Sequence, residues 1–86
     1  MTASYKVSLK KNAEKELRSI PARGIARIVD KIKNLQQQPR PRGCEKMEGG
    51  ERCRIRQGGW RVIHAMDDAE KSVMAVKIGN RREIYG

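Results

Sequence analysis

The chain has 86 residues, with 20 basic and 10 acidic side chains and a formal net charge of +10. At that length it is expected to form one domain spanning residues 1–86, with a small core, because such a chain buries only about 60–65% of its unfolded surface. No run of about 18 apolar residues could span a membrane, no secretory leader pattern is expected, and two cysteines, Cys44 and Cys53, exclude a disulfide scaffold, so a cytoplasmic protein with reduced thiols is expected.

Residues 5–9 alternate apolar and polar, which predicts a short strand. Asn12 is placed to cap a helix in which Ala13, Leu17 and Ile20 recur at spacings of four and three, and Pro21 stops it. A second helix follows from Ile25, Ile28, Val29, Ile32 and Leu35, which form one helical stripe. Pro39 and Pro41 end it, and Arg40 and Arg42 begin a basic loop. The two helices together predict a helical hairpin with one apolar side. From Cys44 the period becomes two. In residues 52–56, Cys53 and Ile55 take one face, and Arg52, Arg54 and Arg56 the other. Gln57-Gly58-Gly59 is a hairpin turn signal. Trp60 to Met66 is a longer strand, and Asp67-Asp68-Ala69-Glu70 the next turn. Ser72 to Ile78 carries apolar residues on both faces, as a central strand would, and Gly79-Asn80 ends it. Glu83-Ile84-Tyr85 is long enough for a short closing strand.

Strand, two helices, then three or four strands joined by tight turns specify an α+β fold. The expected architecture is a twisted antiparallel β-sheet with the helical hairpin packed on one face. The other face is left open to carry the arginines. If Trp60, Val62, His64 and Met66 pack on the helices, Arg61, Ile63 and Ala65 face the open side.

The charge is concentrated accordingly. Arg52, Arg54 and Arg56 share a strand face, and Arg61 lies just across the turn. Like charges side by side on a sheet repel, and two readings account for them. Glu45, Glu48 and Glu51 could neutralise the cluster, or the guanidiniums form a phosphate site, since their forks match phosphate oxygens. Lys77 and Arg81 would complete the rim of such a cleft, and Tyr85 could stack one base. A net +10 in any case favours a polyanionic or acidic partner.

Other chemistry is poorly represented. His64, the one histidine, falls on the helix-packed face and is expected to be structural. Cys44, Cys53 and His64 lack zinc-ligand spacing, so no metal and no cofactor are expected, and the cysteines read as small core residues. No glycine-rich phosphate loop opens a helix. With Phe absent and only Trp60, Tyr5 and Tyr85 aromatic, a sheet that stacks several bases is disfavoured.

Three motifs in order, Arg54-Ile-Arg-Gln-Gly-Gly-Trp-Arg-Val-Ile63, Val76-Lys-Ile-Gly-Asn-Arg81 and Arg82-Glu-Ile-Tyr85, follow the helical hairpin. In this order and spacing the chain resembles the RelE toxins of the RelE/ParE type II toxin–antitoxin superfamily over nearly its whole length. The resemblance implies a ribosome-dependent, metal-independent endoribonuclease. Such an enzyme cuts mRNA in the ribosomal A site by attack of the 2′-hydroxyl on the adjacent phosphate. It implies a RelB-like antitoxin with an acidic amphipathic helix, contact with operator DNA only through the antitoxin complex, and no membrane partner. By motif position, Arg61 resembles the arginine that holds the scissile phosphate, Arg81 the one that stabilises charge or acts as general acid, and Tyr85 the tyrosine that orients the nucleotide. Arg52, Arg56, Lys77 and Arg82 would bind RNA or the ribosome.

Three positions depart from that pattern. Arg52 and Arg54 stand where well-studied members carry lysines, one of them the proposed base, and Asn80 stands where many carry histidine. A guanidinium does not deprotonate at physiological pH, so Arg54 is expected to act by electrostatics. That leaves the base to Tyr85 or to a ribosomal group. The competing expectations are a ParE-like poison of DNA gyrase on the same fold, and a non-catalytic nucleic-acid-binding module.

Overall fold

In the computed structural model, which describes residues 4–47 and 52–80, elements form where the two periodicities place them. Their order is β1 (Lys6–Leu9), α1 (Lys11–Arg18), α2 (Ala22–Asn34), β2 (Glu45–Lys46), β3 (Arg52–Gln57), β4 (Trp60–Asp67) and β5 (Ser72–Asn80). The closing strand expected at Glu83–Ile84–Tyr85 lies outside the described residues. The strands form one open sheet in the order β1-β5-β4-β3-β2. With two helices against one face, this is the expected α+β architecture.

One edge differs from an all-antiparallel sheet. β2, β3, β4 and β5 pair antiparallel in sequence, but β1 pairs parallel to β5, from Lys6 opposite Ser72 to Leu9 opposite Ala75. Tight turns dictate the direction of strands adjacent in sequence. β1 leaves through the helical hairpin instead, and a crossover of that kind permits parallel pairing.

The helices bury their stripes on Cys53, Ile55, Val62, Met66, Val73, Ala75 and Ile78. Ala13, Ile20, Ile28, Ile32 and Leu35 supply the helical side of this core. Gly24 lets the first turn of α2 close on the layer below. A methyl there would come within 2.9 Å of the Ile20 side chain, with the Trp60 indole nitrogen at 3.7 Å. The β3–β4 hairpin turns on Gly58 and Gly59, and Gly58 has φ of +61°, the positive value that the first central residue of a type II′ turn requires.

Ser72–Asn80 is apolar on both faces for a reason the alternation does not show. Ile63 pairs with Lys77 but His64 pairs with Ala75, so Val76 is an extra residue bulged out of the ladder. The bulge resets the parity, which puts Ile78 in the core with Val73 and Ala75. β1 has ended by this point, and α1 takes over the uncovered flank of β5. The Asn12 amide donates to the Val76 carbonyl at 3.0 Å, and a Glu16 carboxylate oxygen accepts the Ile78 N–H at 3.0 Å. Asn12 is therefore not a helix cap as expected. α1 begins at Lys11 after Lys10, which makes no side-chain cap.

The α2–β2 loop is pinned at two points. The fully buried His64 ring lies with Nε2 2.8 Å from the Pro39 carbonyl oxygen. Since a carbonyl only accepts, Nε2 carries the proton and donates. Arg40 forms a two-pronged pair with Asp68 at 3.0 and 3.2 Å, and Asp68 also accepts the Tyr5 hydroxyl at 2.7 Å. His64 is thus the structural residue that strand parity predicts.

Candidate nucleic-acid interface

Residues 52–57 alternate, so Arg52, Arg54 and Arg56 leave β3 on the side away from Cys53 and Ile55. In the β3–β4 register Arg56 stands opposite Arg61, Arg54 opposite Ile63 and Arg52 opposite Ala65. The open face therefore brings Arg54, Arg56 and Arg61 together from two neighbouring strands.

Their exposure is uneven. The Arg56 side chain is 63% exposed and that of Arg54 only 17%. Arg61, expected at the surface, is 4% exposed. Its guanidinium folds back on the hairpin turn, where Nη1 donates to the Trp60 carbonyl at 3.1 Å and reaches the Gly58 carbonyl at 3.5 Å. The turn carbonyls thus fix the position of Arg61, and the group that projects most freely is Arg56.

The centre of the cluster is an acid. Glu45, from β2, pairs directly across the ladder with Arg54. Its carboxylate accepts from Arg54 Nη2 at 2.7 Å and lies 3.7 Å from Arg56 Nε. The Arg54 hydrogen bond and then its charge hold the Glu45 carboxyl below its ordinary value, and Arg56 and Arg61 add to the effect. Partial neutralisation by Glu45 is therefore real, and it occurs inside the arginine cluster. The two readings of the cluster are compatible: one carboxylate sits among groups suited to phosphate. Glu48 and Glu51 lie outside the described residues.

Lys77 is drawn elsewhere. Its ammonium is 3.4 Å from Glu16, which ties it to α1 at the β5 flank. Arg81, Arg82 and Tyr85 lie outside the described residues. β5 runs to Asn80, one residue short of Arg81. Sequence reasoning named Glu45 as a neutralising acid but not as a site residue. Its signal is faint, because a two-residue strand shows no alternation. Among the described residues no group of three or more His, Cys, Asp or Glu could hold a metal ion, and no helix is long and apolar enough to cross a membrane.

Residues 7–85 match the family model described as the ParE toxin of the type II toxin–antitoxin system, parDE. No curated protein sequence matches significantly. Among solved structures, the archaeal RelE–RelB complex from Pyrococcus horikoshii is 28% identical with a TM-score of 0.83, and the match covers 91% of this chain and 96% of that one. The isolated RelE toxin of E. coli is 20% identical with a TM-score of 0.81, covering 95% of this chain and 92% of that one. The toxin–antitoxin complex RelBE2 from Mycobacterium tuberculosis is 23% identical with a TM-score of 0.79, covering 94% of this chain and 95% of that one.

Proposed function

Because the chain belongs to the ParE toxin family of type II toxin–antitoxin systems, within the RelE/ParE superfamily, we propose that this toxin acts as a ribosome-dependent, metal-independent mRNA endoribonuclease. The observation that carries the proposal is the arrangement of Arg54 and Arg56 around one anionic group, at 2.7 Å and 3.7 Å, with Arg61 opposite Arg56 on the neighbouring strand. A site that holds a carboxylate in this way has the charge and the fork geometry to hold a phosphodiester.

In this reading the 2′-hydroxyl attacks the adjacent phosphorus and the bond to the 5′-oxygen breaks. The products are a 2′,3′-cyclic phosphate and a free 5′-hydroxyl. Negative charge builds on the non-bridging oxygens of the pentacoordinate state, and preorganised cations stabilise it. Arg61 would grip the scissile phosphate by turning its guanidinium outward from the turn carbonyls that hold it. Arg54 contributes fixed charge, and Arg56, the most exposed, meets a flanking phosphate. Arg81, one residue beyond β5, would neutralise the leaving oxygen, and Tyr85 would stack the nucleotide. Arg52, Lys77 and Arg82 would contact RNA or ribosome around the site. The ribosome supplies the alignment that an isolated message lacks, and orientation of this kind is worth several kcal/mol.

A RelB-like antitoxin with an acidic amphipathic helix is the proposed partner, in line with the RelB-bound state of the archaeal relative. It would offset the +10 charge, stabilise the toxin by mass action, and carry the pair to operator DNA. The proposed site of action is the cytoplasm.

The test is primer extension on mRNA from a cell-free translation reaction. The native chain should cut within ribosome-bound codons, and Arg61→Ala should reduce cutting by on the order of a hundredfold, as loss of one transition-state donor does. Intact messages in the presence of the native toxin would end the proposal. The ParE description of the matching family model favours a second reading, a gyrase poison. It predicts intact messages together with failed DNA supercoiling in a purified gyrase assay.

A further inference from the structure

Glu45 sits where an RNA phosphate would have to bind, and it is held there by the same groups. Its two carboxylate oxygens face different guanidiniums, Oε2 toward Arg54 at 2.7 Å and Oε1 toward Arg56 at 3.7 Å. Two phosphate oxygens would be shared in the same way. We propose that Glu45 is a specificity-determining occupant of the arginine site: its carboxylate takes the place of a phosphate, and a ligand enters only by displacing it. The inference rests on the reading of this face as an RNA phosphate site.

The backbone allows the side chain to leave without taking the strand with it. β2 is held to β3 by main-chain pairing, Glu45 to Arg54 and Lys46 to Cys53, and the Met47 N–H donates to the Arg52 carbonyl at 2.9 Å. Cys44 packs on the core from the opposite face. Among the described residues the carboxylate bonds only to guanidiniums. It can therefore swing outward into solvent, where its side chain is already 45% exposed.

Displacement sets a threshold. A single phosphate gains from the guanidiniums little more than the carboxylate already supplies, since an exposed ion pair contributes little. A strand of RNA presents successive phosphates, releases counterions from each and brings Arg52 and Arg56 into play. The exchange then favours RNA that is long enough and held in place. Glu45 thereby disfavours free phosphate, mononucleotides and loose single strands, and accepts RNA that is presented by a scaffold.

The experiment is a binding titration of the full chain with a fluorescent oligouridylate, without ribosomes, at several salt concentrations. Glu45→Gln keeps the size of the side chain and removes the competing charge. It should bind on the order of tenfold more tightly at low salt, and its salt slope should steepen by about 0.7, the increment for one more phosphate contact on a single strand. Glu14→Gln makes the same charge change on α1, where Glu14 pairs with Arg18, and at about 0.15 M salt, where exposed charges are screened over roughly 8 Å, should alter affinity less than about twofold. In an Arg54→Met background the gain from Glu45→Gln should largely vanish, because the site it unblocks is gone. A melt of each variant reports folding separately.

Equal tightening by Glu14→Gln and Glu45→Gln would reduce the effect to net charge and overturn the inference. So would a Glu45→Gln protein that binds RNA no more tightly than the native chain. If Glu45→Gln instead loses ribosomal cleavage with binding unchanged, Glu45 accepts a proton and is not a displaced occupant. Tighter binding by Glu45→Gln when neither protein cuts mRNA on ribosomes would sustain the inference and refute the nuclease.

Discussion

On the β5 flank, the Glu16 carboxylate accepts the Ile78 N–H at 3.0 Å and meets the Lys77 ammonium at 3.4 Å. On the β2 edge, the Glu45 carboxylate meets Arg54 at 2.7 Å and Arg56 at 3.7 Å, and among the described residues it bonds no backbone donor. Both are acids in a chain of net charge +10, and both look like surface ion pairs. The main-chain bond separates them. A carboxylate that satisfies a strand N–H is part of the sheet, because losing it leaves that donor unpaired. A carboxylate that touches only guanidiniums can be exchanged for another anion. The number of ion pairs therefore says little about this protein; what matters is whether each acid also holds backbone.

Glu16→Ala should give the largest effect on folding. Loss of a charge-assisted bond to the Ile78 N–H costs about 1.5–3 kcal/mol, read as a lower urea midpoint. Glu16→Gln retains an acceptor and should recover much of the loss. Glu45→Ala should move the midpoint by less than half as much. Equal destabilisation by the two alanines would break the contrast between the edges. Asn12→Ala comes next, at about 0.5–1.5 kcal/mol, because it removes a neutral bond to the bulged Val76 carbonyl.

His64 stands between the two edges, and its effect appears as a pH dependence. Burial pushes its pKa below 6.5; the Pro39 hydrogen bond opposes the shift, and Arg40 adds to it. The unfolded chain therefore takes up a proton at a higher pH than the folded one. Stability is fully present above about pH 6.5 and falls as the pH drops through that value toward the lower folded pKa. Glu45 and Asp68 are held below the ordinary carboxylate range by their arginine partners, so the window between pH 7 and 5.5 belongs to His64. The urea midpoint should fall across that window in the native chain and stay level in His64→Gln.

The helical stripe, the β3–β4 hairpin and the face assignment of Trp60, Val62, His64 and Met66 are legible in the residues, because each follows from a local period or turn. What depends on distant partners is not. The parallel pairing of β1 is decided by where the helical hairpin returns the chain. The bulge at Val76 is flanked by bonds to Asn12 and Glu16, more than 60 residues away in the chain. The arginine cluster is legible from parity, but parity alone predicts an exposed Arg61. Its burial depends on carbonyls that the Gly58–Gly59 turn presents, which residue spacing does not reveal. Glu45 belongs to a strand of two residues, too short to carry a pattern, and so its place inside the cluster emerges only from the register.

The smallest effect tests how firmly β2 stays down. Cys53 lies on the face of β3 opposite Arg54, buried in the core, while Cys44 is half-buried beside the core. Burial pushes the Cys53 thiol up, and the hydrogen bond with Cys44 pushes it further. Both effects suppress the thiolate, which is the reactive form. With single-cysteine variants, Cys44→Ser and Cys53→Ser, a disulfide reagent at pH 8 should label Cys44 at least about tenfold faster than Cys53. Labelling of Cys53 requires β2 or the helices to lift, so its rate reports opening of this edge. If Glu45 holds only guanidiniums, adding Glu45→Gln to the Cys44→Ser chain should leave that rate within about twofold, as expected for an exposed pair. Faster labelling by an order of magnitude would mean that the carboxylate also holds the strand, and the difference between the two edges would disappear.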